Sequence, residues 1–322
     1  IDADAIENKG RLIAQFDNGY FATVAMNTSL IGERLICTVT PVNSLKSQLV
    51  TSGDGLYSDS TEPGRYVYKG ANPNNYVKFN NELWRILAIN NDNLEIVKDD
   101  VLAEKKAFDE KNYRDYMSDG AGGTYCRYAY GNYQNFYGCN VWSKNNSFTD
   151  GVHIGTVLLD SSLNTYLNGT YYNSIVADYR NLIINHTFYY GAVDDETTSL
   201  QAQISDEKKY SWTGKVGLLE TSDYVKSNSN TSSCGNMQSN SDASTSCYMT
   251  TYLSGSFYWL INPLYNAQDE AWSGVRNVWV VNRSMSTYTV IDTGGGIKPV
   301  VAIKVTEFVC GDGTESNPYQ LS

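Results

Sequence analysis

Residues 64–98 read GRYVYKGANPNNYVKFNNELWRILAINNDNLEIVK. Apolar residues alternate through Tyr66 and Tyr68, return at Tyr76, Val77 and Phe79, crowd together from Leu83 to Ile89, and close in Leu94, Ile96 and Val97. Asn and Gly clusters separate the runs, and this pattern predicts a β-meander. The run Leu83–Ile89 is the most continuously apolar. It predicts a central strand covered on both faces, with Trp84 as its largest buried anchor. No residue in the stretch is an obvious catalyst.

Outward from this core, 322 residues with 41% hydrophobic composition suffice for a sizeable interior, in one large domain or two smaller ones. Charged residues make up only 18%, and 26 Tyr together with uncharged polar residues fill the difference. The net charge of −11, with no run of Lys or Arg longer than a pair, argues against a nucleic-acid partner. No stretch is long and apolar enough for a transmembrane helix, and a chain opening at Ile1 reads as a mature or trimmed ectodomain.

The six cysteines are Cys37, Cys126, Cys139, Cys234, Cys247 and Cys310. None forms a Cys-x-x-Cys, and with only His153 and His186 as histidines no structural zinc site is expected. Six cysteines allow many pairings. The short, polar, similarly spaced segments between Cys126 and Cys139 and between Cys234 and Cys247 suggest two local disulfides, which leave Cys37 with Cys310. A loop such as SSCGNMQSNSDASTSC is too polar to bury a free thiol, so the staples imply an oxidising, extracellular compartment.

Residues 1–50 have few aromatics and spaced aliphatics, among them Ile6, Ile13, Phe16, Val24, Leu30, Ile31, Leu35 and Ile36. They read as a helical, assembly-type segment, although FATVAM alternates as a strand would. Turn residues from Gly53 to Gly64 open a single domain over 51–322, and residues 310–322 read as a polar tail. Ser161 or Ser162 caps a short helix that Asn168-Gly169 ends, and Tyr172, Ile175, Val176, Tyr179, Leu182 and Ile183 form the stripe of a second helix. Residues 210–220 read as a strand, TSDYVKSN as a short helix, and the segments around WLINP, VWVVN, TYTVID and PVVAIK as strands at hairpin spacing.

The pieces GRYVYKGANPNNYVKFNNELWRILAI, GAGGTYC, SSLNTYLNGTYYNSI, GKVGLLETSDYVKSNSNTSSCGN, WLINP, VWVVN, KPVVAIK and GDGTESNPYQL occur in this order over about residues 53–322. In them the chain resembles a family of uncharacterised exported surface proteins of Firmicutes and related gut bacteria, which often carry prepilin-type signals. The resemblance implies an α+β fold of C-type-lectin-like, formylglycine-generating-enzyme-like type: short antiparallel strands, two or three helices and disulfide-stapled loops. The family's usual Arg-Pro-Val is Lys298-Pro299-Val300 here, and the catalytic cysteines of formylglycine-generating enzymes have no counterpart.

Chemistry is hard to place. Neither histidine sits in a context that recommends a nucleophile–base pair. Gly294-Gly295-Gly296-Ile297-Lys298 lacks the spacing and the Ser/Thr of a phosphate loop and leads into a strand, so it reads as a hairpin turn. Asp194-Asp195-Glu196 and Asp269-Glu270 read as solvated turns rather than catalytic carboxylates. Binding is more credible: Trp272, Arg276, Arg283, Tyr288 and Lys298 bring aromatic and cationic groups to the C-terminal strands, while Trp259 and Trp279 read as core. The expectation is a non-enzymatic extracellular, cell-surface protein without metal or cofactor, a pilin-like filament subunit that self-associates. The alternative is a monomeric lectin-like module for a glycan or host-surface protein.

Overall fold

The computed structural model describes residues 11–15, 21–25, 40–90, 93–111, 113–114, 138–149, 154–242, 246–255, 257–265, 277–305 and 307–321. The chain divides into two compact units, Ile1–Thr38 and Val39–Ser322. In the first, β1 (Arg11–Gln15) and β2 (Phe21–Ala25) pair antiparallel in unbroken register from Arg11↔Ala25 to Gln15↔Phe21. Helix was expected here, and strand is what forms. The alternation in FATVA and the Asn18-Gly19 dipeptide between the two runs are a hairpin signal that outweighs the spaced aliphatics. The boundary also falls earlier than the turn chemistry near residue 51 suggests. Residues Thr40–Pro41 (β3) and the 3₁₀ turn Val42–Gln48 belong to the second unit, whose core takes in Val42 and Leu45.

The second unit is mixed α+β, mostly strand. Its centre is the expected meander: β4 (Gly55–Ser58), β5 (Arg65–Lys69), β6 (Tyr76–Phe79), β7 (Glu82–Asn90) and β8 (Asn93–Lys98). Strand β7 carries β8 along one edge. Its other edge is shared: β6 takes the first half, from Phe79↔Glu82 to Tyr76↔Arg85, and β5 takes the second, from Val67↔Ala88 to Arg65↔Asn90. Asn80 and Asn81, at φ 53° and 61°, turn the β6–β7 hairpin in the left-handed conformation that Asn tolerates. Trp84 is fully buried and meets Phe79 edge-on at 5.2 Å.

The remaining strands are β9 (Asn145–Thr149), β10 (Ile154–Val157), β11 (Ile183–Ile184), β12 (His186–Tyr189), β13 (Val193–Asp194), β14 (Ser211–Gly214), β15 (Tyr258–Tyr265), β16 (Asn277–Asn282), β17 (Ser284–Thr289), β18 (Val300–Lys304), β19 (Glu307–Cys310) and β20 (Tyr319–Leu321). The main sheet runs β11-β18-β8-β7-β6-β20-β19-β3, with β5 and β4 attached through β7. A second sheet runs β13-β15-β16-β17, and β12 pairs with β14. The tail is therefore not a polar appendage. Strand β20 lies parallel to β6, and Tyr319 stacks on Phe308 at 4.3 Å inside the core.

The helices are more numerous and shorter than expected. α1 (Ser162–Tyr166) is capped by the Ser161 hydroxyl, which accepts from the Asn164 amide. It does not end at Asn168-Gly169 but passes through a π turn, Leu167–Tyr171, into α2 (Tyr172–Ser174). Asn168 explains this: its Oδ1 accepts from the Lys215 and Val216 amides, and its Nδ2 donates to the Val216 carbonyl at 2.9 Å. Those tertiary bonds occupy the side chain that was read as a stop signal. The expected long second helix instead breaks at Ile175 and Val176, which are extended, and Val176 is half exposed with its amide donating to Asn80 Oδ1. α3 (Ala177–Leu182) follows, then α4 (Leu200–Glu207), α5 (Thr221–Lys226), α6 (Thr231–Cys234) and α7 (Met237–Ser241). Cys234 and Cys247 form the expected disulfide, with Cα atoms 5.6 Å apart. Cys139 and Cys310 are disulfide-bonded as well; Cys126 and Cys37, the partners expected for them, lie outside the described residues.

Candidate functional site

Among the residues singled out for binding, Trp272 and Arg276 lie outside the described residues. Arg283 is exposed in the β16–β17 turn at φ 67°, its amide donating to the Gly255 carbonyl and its own carbonyl accepting from the Tyr224 hydroxyl. Tyr288 is exposed on β17, its ring 4.7 Å from Phe257. Lys298, just ahead of β18, is 7% exposed and lies over the Tyr258 ring at 5.2 Å. Burial pushes its ammonium down to about 8. No hydrogen bond, ion pair or ring contact among the described residues joins any two of these three. Trp259 and Trp279 are core residues, as read.

A different set of side chains converges around a cleft. Arg65 opens β5 and Glu95 stands in the middle of β8, between Leu94 and Ile96. Arg65 donates from Nη2 to Glu95 at 2.5 Å and from Nη1 to Asp59 at 2.9 Å, and reaches Asp223 on α5 at 3.5 Å. Lys226, at the end of α5, meets Asp59 at 3.1 Å. The first turn of α5 holds the next carboxyls. Glu220 and Asp223 form a reciprocal capping box, and Glu220 also accepts from the Tyr189 amide at 2.7 Å. Glu207, at the end of α4, accepts from the Ser222 amide at 2.7 Å and from the Thr221 hydroxyl.

Three of these five carboxyl groups, Asp59, Glu95 and Asp223, pair with Arg65 or Lys226, whereas Glu220 and Glu207 rest on amides and a hydroxyl, and their ionisation divides accordingly. Burial works against Asp59 and Glu95, but Lys226, Thr61 and Arg65 hold Asp59 well below the usual carboxylate range, and Arg65 with His186 hold Glu95 below it. Burial wins at the other three. Asp223 is raised despite Arg65, and Glu220 is raised well above the normal range by burial and by the neighbouring Asp223 and Glu207. Glu207 is pushed up to about 7 by burial, against the hydrogen bonds from Ser222 and Thr221.

The cleft has a volume of ≈ 260 Å³. Val300 and Ala302 of β18 and β12 from His186 to Tyr189 line it, together with Arg65, Glu95, Glu220, Asp223 and Lys226 and with Glu62, Asn93, Asn185 and Lys208. The lining therefore combines hydrogen-bond donors and acceptors with a few apolar side chains. His186 meets Phe188 edge-on at 4.7 Å. Among the described residues no cluster of His, Cys, Asp and Glu is arranged to hold a metal ion.

No family model, curated protein or solved structure matches the chain. Among the described residues no helix is long and apolar enough to cross a membrane.

The cleft was not read from the sequence, although two signals for it are there. Glu95 stands between Leu94 and Ile96 in the last apolar run of the meander, and an acidic residue buried there needs a cation. The spacing of Glu220 and Asp223 ahead of an apolar pair is a capping box, which brings carboxyls to a helix start.

Proposed function

We propose that this chain is a non-enzymatic extracellular surface protein whose second unit, of C-type-lectin-like type, holds a saccharide in the cleft between β8, β18, β12 and α5. The observation that carries the reading is the lining of that cleft: it combines carboxyls, side-chain amides and cationic groups with the apolar Val300, Ala302 and Phe188. Sugar hydroxyls donate and accept at once, and the apolar face of the ring needs a dry surface, so this lining suits them. The Cys234–Cys247 link supports an oxidising compartment. A glycan array tests the reading. Wild-type protein should bind a restricted set of glycans and an Asn93→Ala/Asn185→Ala variant should lose them; binding lost only on Trp272→Ala would move the site to the loop region first considered, and no binding to any glycan would end the proposal.

The filament reading is supported by a separate observation. The N-terminal unit contains an antiparallel hairpin, β1–β2, of two five-residue strands among its described residues, an element that can extend by pairing with a further strand. In this reading the hairpin completes its sheet against another copy during self-association. Electron microscopy of the purified chain should show ordered polymers; monodisperse monomers under every condition would reject it.

A further inference from the structure

The polar groups that line the cleft differ in how far the protein already uses them. Three of its carboxyls are bonded within the chain. Glu95 takes Nε and Nη2 of Arg65, Asp223 takes Nη2 of Arg65 and the Glu220 amide, and Glu220 takes the amides of Tyr189 and Asp223. Burial also raises Asp223 and Glu220, which lessens the negative charge they present. The donors are less committed. Lys226, whose side chain is 10% exposed, gives one bond, to Asp59, and an ammonium has three to give. Exposed Lys208 lies over the Tyr189 ring at 5.2 Å and meets no carboxylate among the described residues. His186 meets Phe188 edge-on, and among the described residues its ring nitrogens have no hydrogen-bond partner. Against these stands Glu62, a lining carboxylate whose side chain takes no hydrogen bond among the described residues. The spare capacity of the cleft is thus mostly cationic donor, and a buried ammonium with N–H groups left over gains most from an anionic acceptor.

Resting on the saccharide reading, we infer that the cleft selects an acidic sugar, a uronic acid, over its neutral counterpart, with the sugar carboxylate received by Lys226 and assisted by Lys208 and His186. A carboxylate brings one negative charge and two acceptor oxygens, so it uses the spare N–H groups of Lys226 without displacing Asp59. The Arg65 network stays intact, because the bonds that hold Glu95 and Asp223 are not called upon. A neutral sugar offers Lys226 only hydroxyl oxygens, and an amino sugar sets a second ammonium against it.

The experiment is an NMR titration of the full chain with glucuronate, glucose and glucosamine at pH 6.5, repeated with Lys226→Gln, Lys208→Gln and Glu62→Gln. Glucuronate should bind at least ~10-fold more tightly than the other two, a difference of about 1.4 kcal/mol. The preference should vanish in Lys226→Gln and shrink several-fold in Lys208→Gln, whose exposed side chain leaves the fold alone. It should grow in Glu62→Gln, which removes a competing charge, while glucose binding stays the same in both of the last two variants; a merely structural role would move the sugars together. Equal binding of the three sugars, or tightest binding of glucosamine, would overturn the acidic-sugar inference and leave the saccharide reading standing. A preference that survives Lys226→Gln would overturn it as well, and so would displacement of glucuronate by an equal concentration of acetate, which would reduce the site to one for any carboxylate. Binding of no sugar would remove both readings.

Discussion

Replacing Glu207 by Gln isolates the electrostatic cost stored beneath α5. The carboxyl is 1% exposed, accepts from the Ser222 amide and the Thr221 hydroxyl, and has no cation in contact among the described residues. Burial raises it from 4.5 to about 7. A raised carboxyl binds its proton more tightly in the folded chain than in the unfolded one. Its contribution is therefore fully present below pH ~4.5 and is lost as the pH climbs through 7. At ~1.4 kcal/mol per pKa step, the loss amounts to ~3 kcal/mol by pH 8. The amide of Glu207→Gln keeps an acceptor for Ser222 and has no proton to lose. Urea unfolding followed by tryptophan fluorescence at pH 4.5 and pH 8 should show the variant close to wild type at the lower pH and more stable by ~1–3 kcal/mol at the higher one. A stability difference that is the same at both values would mean that Glu207 does not hold its proton in the folded protein.

Other consequences are equally direct. Lys298→Met should raise the midpoint of thermal unfolding at pH 7 and make no difference near pH 11. The amine is depressed from 10.5 to about 8 by burial, so its stabilising share exists only above its unfolded value and is lost as pH falls through 8. Arg65→Ala should cost ~3–5 kcal/mol in denaturant unfolding, because it strands Glu95 in a buried space while Asp59 keeps Lys226; an effect below 1 kcal/mol would show the network to be dispensable. Removing the staple with Cys234→Ser/Cys247→Ser should cost about 3 kcal/mol for its 13-residue separation, read from the same unfolding curves under oxidising conditions.

Much of the second unit's architecture was legible because its signals are local and agree with one another. The crowding of Leu83–Ile89 marks a strand with neighbours on both edges, and the C-terminal runs at hairpin spacing become β15 to β18. What was not legible depends on partners distant in sequence. Asn168-Gly169 reads as a helix stop until the Asn168 side chain is seen bonded to Lys215 and Val216. Residues 319–321 read as a tail because three residues carry no periodicity, and pairing with β6 on one side and β19 on the other makes them a strand. The candidate site was missed for the same reason. Arg65, Glu95 and Asp223 are scattered over 158 positions, and none of them resembles a motif until the sheet and α5 bring them together.

The place of β20 bears on how the second unit is made. Strand β3, at its start, pairs with β19, which pairs with β20, which pairs in turn with β6, so that residues 40–41 and 319–321 lie two strands apart in one sheet. Strand β6 must wait for almost 240 further residues before it gains its second neighbour, which places the closing step after synthesis of residue 321 rather than during it. It also means that entry and exit of the polypeptide are neighbours. The unit can hang from a longer chain as a side-loop, adding little to the distance between whatever precedes residue 39 and whatever follows residue 322.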